Sequence, residues 1–269
     1  TLRILKEIGH DEFAFYEHRY LVFIEECLTV VWPQIQGDMD EDNVKKRQEI
    51  FWHLELNEQA QKDMWLLMHT GHTGRTEANE AVWDREPSAS LRPKLDAIGA
   101  DPALTEFAGP INDSRLRAFL ESYPPVACAR SSFANKKKFR WRRTFDAERL
   151  KKVGDKLGIG GITDIRILGR GPGGRITGLR LEGQGGAREV LRELPVRRLF
   201  GNLNSGLFVL DLERAPQTGA LLSATFVGGG WGHGVGMCQV GAIGRAERGH
   251  SFEQILGHYY NGAAVERIY

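Results

Sequence analysis

The chain has 269 residues, 41% of them hydrophobic, enough to bury the core of one large domain or two small ones. Its formal net charge of +1 and sequence pI near 7.7 exclude a bulk electrostatic attraction to nucleic acid or to an anionic membrane. No apolar run reaches the roughly 18 residues needed to span a bilayer, so no transmembrane segment is expected, and no signal-peptide pattern is visible from Thr1 onward.

Taken in chain order, Phe13 to Trp32 carries apolar residues three and four apart, the spacing of a helix with a broad buried face, and Pro33 stops it. An acidic loop follows over 36–43, in which Asp38, Asp40 and Asp42 alternate but lack the glycine and distal glutamate of an EF-hand. Asp42 or Asn43 caps a second helix to about Leu67, so residues 1–65 are expected to form an acidic helical hairpin. Residues 66–269 are expected to form a second domain. There Asp113–Ser122 reads as a helix ended by Tyr123-Pro-Pro125, and Phe139–Phe145 alternates as a strand that Asp146 turns into a short basic helix to about Leu157. Four short β-like runs then follow: Ile162–Leu168, Arg175–Glu182, Ala187–Leu194 and Leu207–Leu212. Turns containing Gly173-Gly174 and Gly185-Gly186 separate the first three, giving a β-meander or small barrel. A last helix is expected from the capping Ser251 to about Tyr260, closed by Asn261-Gly262.

Charge is unevenly spread. Residues 1–60 hold 13 Asp/Glu against 6 Lys/Arg, whereas residues 130–198 hold 19 Lys/Arg against 7 Asp/Glu. The basic excess is read either as a solvated sheet surface or as a platform for an acidic partner, the N-terminal hairpin or an anionic polymer among them. The cysteines Cys27, Cys128 and Cys238 are odd in number and far apart, which rules out a disulfide framework and a CxxC metal knuckle; buried thiols are expected.

The most unusual stretch is Gly228–Gly241, GGGWGHGVGMCQVG, in which seven of fourteen residues are glycine. It lacks the Lys-Ser/Thr of a phosphate-binding loop and the βαβ context of a dinucleotide fingerprint. What remains is a backbone stripped of side chains, with His233 and Gln239 projecting from it ahead of a helix start near Met237. Such a surface suits a ligand rich in hydroxyls and amides, such as a sugar chain.

Gly232-His-Gly-Val-Gly-Met-Cys-Gln-Val-Gly-Ala242 and the run Gly244–Gly262 ending Ile-Leu-Gly-His-Tyr-Tyr-Asn-Gly resemble the C-terminal signature of the sporulation stage II protein D (SpoIID)/LytB domain family, GHGxGMSQ-x-GA and then IL-x-HYY-x-G. Gly74–Trp83, Phe139-Arg-Trp141, Gly174-Arg-Ile176 and Arg197–Phe208 are similar to further pieces of that pattern in the same order, so the resemblance covers about residues 70–269. It implies a mixed, β-rich SpoIID-like domain with a C-terminal helix; with the N-terminal helical hairpin read from the apolar spacing, an α+β fold is expected.

For function, the resemblance implies a peptidoglycan glycan-strand-binding protein of the bacterial cell envelope, outside the cytoplasm. It also implies a lytic transglycosylase in which one glutamate serves as general acid and then base. The family's catalytic segment has no counterpart in residues 1–65; the nearest echo is Glu25–Pro33, which makes Glu26 one candidate acid and Glu77 of the matched turn the other. Trp231, His233, Gly234, Gly236 and Gln239 are the candidate substrate-binding residues, and Cys238 stands where the family has serine. The family's zinc site has partial echoes in His69 and His72, without the cysteines that complete it, so neither metal nor cofactor is expected. The expected partner is the glycan strand, with other proteins reached through the N-terminal hairpin and no nucleic acid. The alternative is a non-catalytic scaffold or subunit of a larger assembly, docked by the N-terminal helices.

Overall fold

The computed structural model describes residues 68–69, 72–83, 86–109 and 111–262. The expected helical hairpin of 1–65, with Glu26 and Cys27, lies outside the described residues. The elements in chain order are β1 (Met68–His69), α1 (Asn79–Val82), α2 (Pro102–Thr105), α3 (Asp113–Glu121), α4 (Lys136–Phe139), β2 (Arg140–Asp146), α5 (Ala147–Lys156), β3 (Ile162–Arg170), β4 (Ile176–Gly183), β5 (Gly186–Leu191), α6 (Glu193–Leu199), β6 (Phe208–Arg214), β7 (Leu221–Gly229), β8 (Met237–Cys238), α7 (Gln239–Ala246) and α8 (Phe252–Tyr259).

The expectation of an α+β, β-rich, SpoIID-like domain needs correction, although the first three expected strand runs do form an antiparallel meander, β3-β4-β5. The described residues form a mixed α/β fold in which helices are interleaved with two small antiparallel sheets, one ordered β2-β7-β6 and the other β3-β4-β5. Two local features explain the difference. The run Ala187–Leu194 is not all strand: Arg192 adopts φ 69°, which ends β5 and turns Glu193–Leu199 into α6, with Pro195 tolerated in its first turn. The Gly-rich tail of Leu221–Gly229 hides β7, which becomes the centre of its sheet by pairing β6 through a hairpin and β2 from far earlier in the chain.

That three-stranded sheet separates two apolar cores. Period-two alternation sends Phe208, Ala224 and Phe226 into one core with Trp141, Leu150, Ile176, Leu179 and Phe200. It sends Val209 and Val227 into the other, with Leu116, Phe119, Val126, Ile255 and Tyr259. Helix α3 begins as Asn112 accepts from Arg115 N at 2.9 Å, and α5 begins as Asp146 accepts from Arg149 N at 2.9 Å. Helix α8 carries a capping box between Ser251 and Gln254. The basic residues Lys136–Lys138, Arg142, Arg143, Lys151 and Lys152 are exposed. No helix among the described residues is long and apolar enough to cross a membrane.

The candidate site at the glycine-rich loop

The loop after β7 alternates in backbone handedness: Gly230, Gly232, Gly234 and Gly236 have φ of 75°, 90°, 80° and 70°. At two of these positions a neighbour also requires glycine. A Cβ on Gly230 would stand 1.9 Å from Thr73 Cγ2, and one on Gly234 would stand 2.0 Å from Arg175 Cζ, far inside van der Waals contact. Across the strands, Gly228 is the register partner of Trp141, whose indole lies where a Cβ would be and whose Nε1 donates to Gly230 O at 3.1 Å. The bodies that approach this backbone so closely are thus parts of the protein itself. Gly234 and Gly236 are buried, and what reaches solvent is the tip Trp231-Gly232-His233.

Beneath the loop lies a fully buried electrostatic cluster. The Glu77 carboxylate accepts three backbone N–H groups: Oε1 from Ala78 at 2.9 Å and Gly173 at 2.7 Å, Oε2 from Arg175 at 2.9 Å. Its own N–H donates to Gly234 O at 2.8 Å, so one residue fixes both the 171–175 turn and the glycine loop. Burial pushes the Glu77 carboxyl above the usual range, opposed by these donors and by the Arg175 charge. With both oxygens turned inward onto backbone, Glu77 positions two loops and offers no oxygen to a ligand at the surface.

The Arg175 guanidinium lies under Gly234 with Nε 3.4 Å from Glu193 Oε2, close enough for charge attraction but without hydrogen-bond alignment, and Nε, Nη1 and Nη2 all lack hydrogen-bond partners. Glu193 instead accepts from Gly206 N at 3.1 Å and Arg197 Nη1 at 3.3 Å. Burial lowers the Arg175 pKa and raises that of Glu193, each offset by the other's charge.

At the tip, Trp231 is 43% exposed and carries the Lys138 ammonium 5.2 Å from its ring centroid. His233 is half-buried, its Nδ1 accepts from Val235 N at 3.1 Å, and its ring packs on Trp83 with centroids 5.0 Å apart. Because Nδ1 is an acceptor, the neutral ring carries its proton on Nε2. Gln239 is half-buried at the start of α7, whose N-cap is Cys238. Of the candidate site residues, the structure therefore brings Trp231 and His233 together at one accessible tip and places Gly234, Gly236 and Glu77 in the packing below it.

A second buried network went unrecognised in the sequence. Asp96 Oδ1 accepts from Tyr259 Oη at 2.7 Å and from Arg245 Nε and Nη2 at 3.3 and 3.2 Å. His258 Nε2 lies 3.5 Å from the same oxygen and 2.8 Å from Arg245 Nη2. Cys128 and Cys238 are free, buried thiols beside it. His258 and Tyr259 belonged to the recognised HYY segment, but Asp96, 163 positions before Tyr259, gave no local signal.

A mixed α/β domain with an internally packed glycine loop and an aromatic tip is the class that fold and site define. Residues 77–236 match the model of a domain of unknown function, DUF8618, over more than half of the chain, and the chain belongs to that family. It matches no curated protein. Membership of the SpoIID/LytB family is thereby corrected, since no such family is matched. The matched span stops at Gly236, before the Met237–Gly262 run that carried part of the resemblance. The loop motif that suggested the likeness has an internal cause, the seating of Thr73, Trp141 and Arg175 against bare backbone.

Proposed function

We propose that this domain binds a carbohydrate chain at the Trp231-Gly232-His233 tip and does so without catalysis. The observation that carries the reading is Trp231, a large indole left exposed at the apex of a rigidly packed loop. An indole face stacks on the apolar C–H face of a sugar ring, and the neighbouring Lys138 ammonium suits hydroxyl and N-acetyl oxygens. Rigidity supports it further, because a loop held by Glu77, Arg175 and Trp141 loses little freedom on binding. The inward-turned carboxylate of Glu77 favours binding over acid catalysis.

The test is quenching of intrinsic tryptophan fluorescence by soluble N-acetylglucosamine oligomers, together with retention on insoluble peptidoglycan, chitin and cellulose. Saturable quenching that Trp231→Ala weakens at least about tenfold, about 1.4 kcal/mol, is expected. Absence of both quenching and retention overturns the reading. Formation of anhydro-muramyl ends on glycan strands replaces binding by lytic cleavage.

A further inference from the structure

Three separate segments, around Asp96, Cys128 and Cys238, meet in a buried junction at the start of α7. Asp96 follows a bridge between Arg75 and Leu95 and is fixed by its own backbone, N donating to Gly74 O at 2.9 Å and O accepting from Ala127 N at 2.8 Å. Cys128 lies in the single helical turn Ala127–Ala129, and Cys238 at the N-cap of α7. Gly244 lets α7 lie directly on that turn, for a Cβ there would stand 2.3 Å from Ala127 O. The two sulfurs and a carboxylate oxygen of Asp96 all fall within 4.8 Å of one another, and all three residues are buried.

Three observations say what this cluster is built for. Asp96 is 1% exposed; its Oδ1 takes the bonds of Arg245 and Tyr259, while Oδ2 is buried with no hydrogen-bond partner. An orphaned carboxylate oxygen is expensive in a core unless something fills its lone pairs. Cys238 Sγ, meanwhile, accepts the backbone N–H of Gly241 at 3.2 Å, a contact of the kind that supports a thiolate bound to metal. Finally, Arg245 supplies a fixed positive charge to the same carboxylate, so two thiolates, one carboxylate, one arginine and a divalent cation sum to zero.

We propose that Asp96 Oδ2, Cys128 Sγ and Cys238 Sγ are the ligands of a buried thiophilic divalent metal ion, with zinc the best match to this donor set and water completing the tetrahedron. The spacing agrees: zinc–sulfur bonds of about 2.3 Å and zinc–oxygen bonds of about 2.0–2.2 Å put tetrahedral ligands closer together than the 4.8 Å limit, within reach of small side-chain rotations. Binding displaces the two thiol protons to solvent, so uptake is favoured by rising pH. The ion would tie together the 3₁₀ turn, the Asp96 segment and the start of α7, and it enters during folding. None of its ligands is His69 or His72.

The test uses the full chain, unfolded in denaturant with a chelator and refolded with Co2+ alone. About one cobalt per chain, with a thiolate-to-cobalt charge-transfer band and the visible bands of a tetrahedral ion, is expected. Cys128→Ser and Cys238→Ser should each cut the charge-transfer band by at least about half, since at most one of the two thiolates is left, and Cys27→Ser should leave it intact. To separate metal loss from misfolding of a serine variant, the wild-type melting temperature is also compared after refolding with Zn2+, with Mg2+ or without metal. A rise with zinc alone supports the site. Refolded wild-type chain with no cobalt band, no zinc-dependent rise in Tm, or Cys128 and Cys238 recovered as a disulfide after refolding with Co2+ overturns it.

Discussion

Arg175 and Arg245 are both buried arginines facing a buried acid, yet the protein treats them in opposite ways. Arg245 spends its guanidinium on Asp96 Oδ1, on Ala97 O at 2.5 Å and on His258, while Tyr259 bonds the same acid. Arg175 keeps three nitrogens without hydrogen bonds, close to Glu193 but misaligned, and presents its flat face to Gly234. In the first region the charges hold one another. In the second the acids are held mainly by other groups, Glu77 by three backbone N–H groups and Glu193 by Gly206 and Arg197, and the arginine acts chiefly as a planar wedge that shapes the loop. A buried ion pair is therefore an uneven guide to stability: what counts is which partner is orphaned when the other is removed.

The sharpest way to break this comparison is a matched pair of substitutions. Arg245→Met should destabilise the fold by about 3–5 kcal/mol, because it leaves Asp96 charged and buried without its counterion. Arg175→Met should cost about 2 kcal/mol at most, because Glu77 and Glu193 retain their other donors. Urea unfolding of the two variants reads the difference directly, and equal losses would erase the distinction.

Gly234→Ala follows in size, at about 3 kcal/mol, from the collision with Arg175 added to the left-handed backbone. The double variant Gly234→Ala, Arg175→Met should recover the collision part alone, which a double-mutant cycle measures. Glu77→Gln comes next, about 1.5–3 kcal/mol, since an amide nitrogen would replace an oxygen that accepts from backbone N–H. Its melting temperature should fall while carbohydrate binding by the folded fraction is unchanged; a loss of binding with unchanged stability would return Glu77 to the site. The smallest expected effect is Trp231→Ala, within about 0.5 kcal/mol of wild type in stability, with its consequence confined to ligand binding.

Much of the local structure was legible because local signals carried it. Asp146 ends a strand and caps a helix through its own carboxylate, and Ser251 with Gln254 closes a box whose members lie three apart. The strand-helix boundary at Arg192 was not legible, because a non-glycine residue in the left-handed region is imposed from outside the segment. Nor was the purpose of the glycines. The run GGGWGHGVG reads in sequence as backbone cleared for a ligand, whereas Thr73, Trp141 and Arg175 occupy the cleared space.

By itself the sequence determined the caps at Asp146 and Ser251, because each depends on residues within a few positions of one another. Only the tertiary structure decided that β7 lies between β2 and β6, that Glu77 faces inward, and that Asp96, Cys128 and Cys238 converge. Those outcomes depend on contacts between residues distant in sequence, Arg140 with Gly229, Glu77 with Gly173 and Cys128 with Cys238. No local pattern encodes them, for they are chosen by the joint burial of apolar faces and the pairing of buried charge.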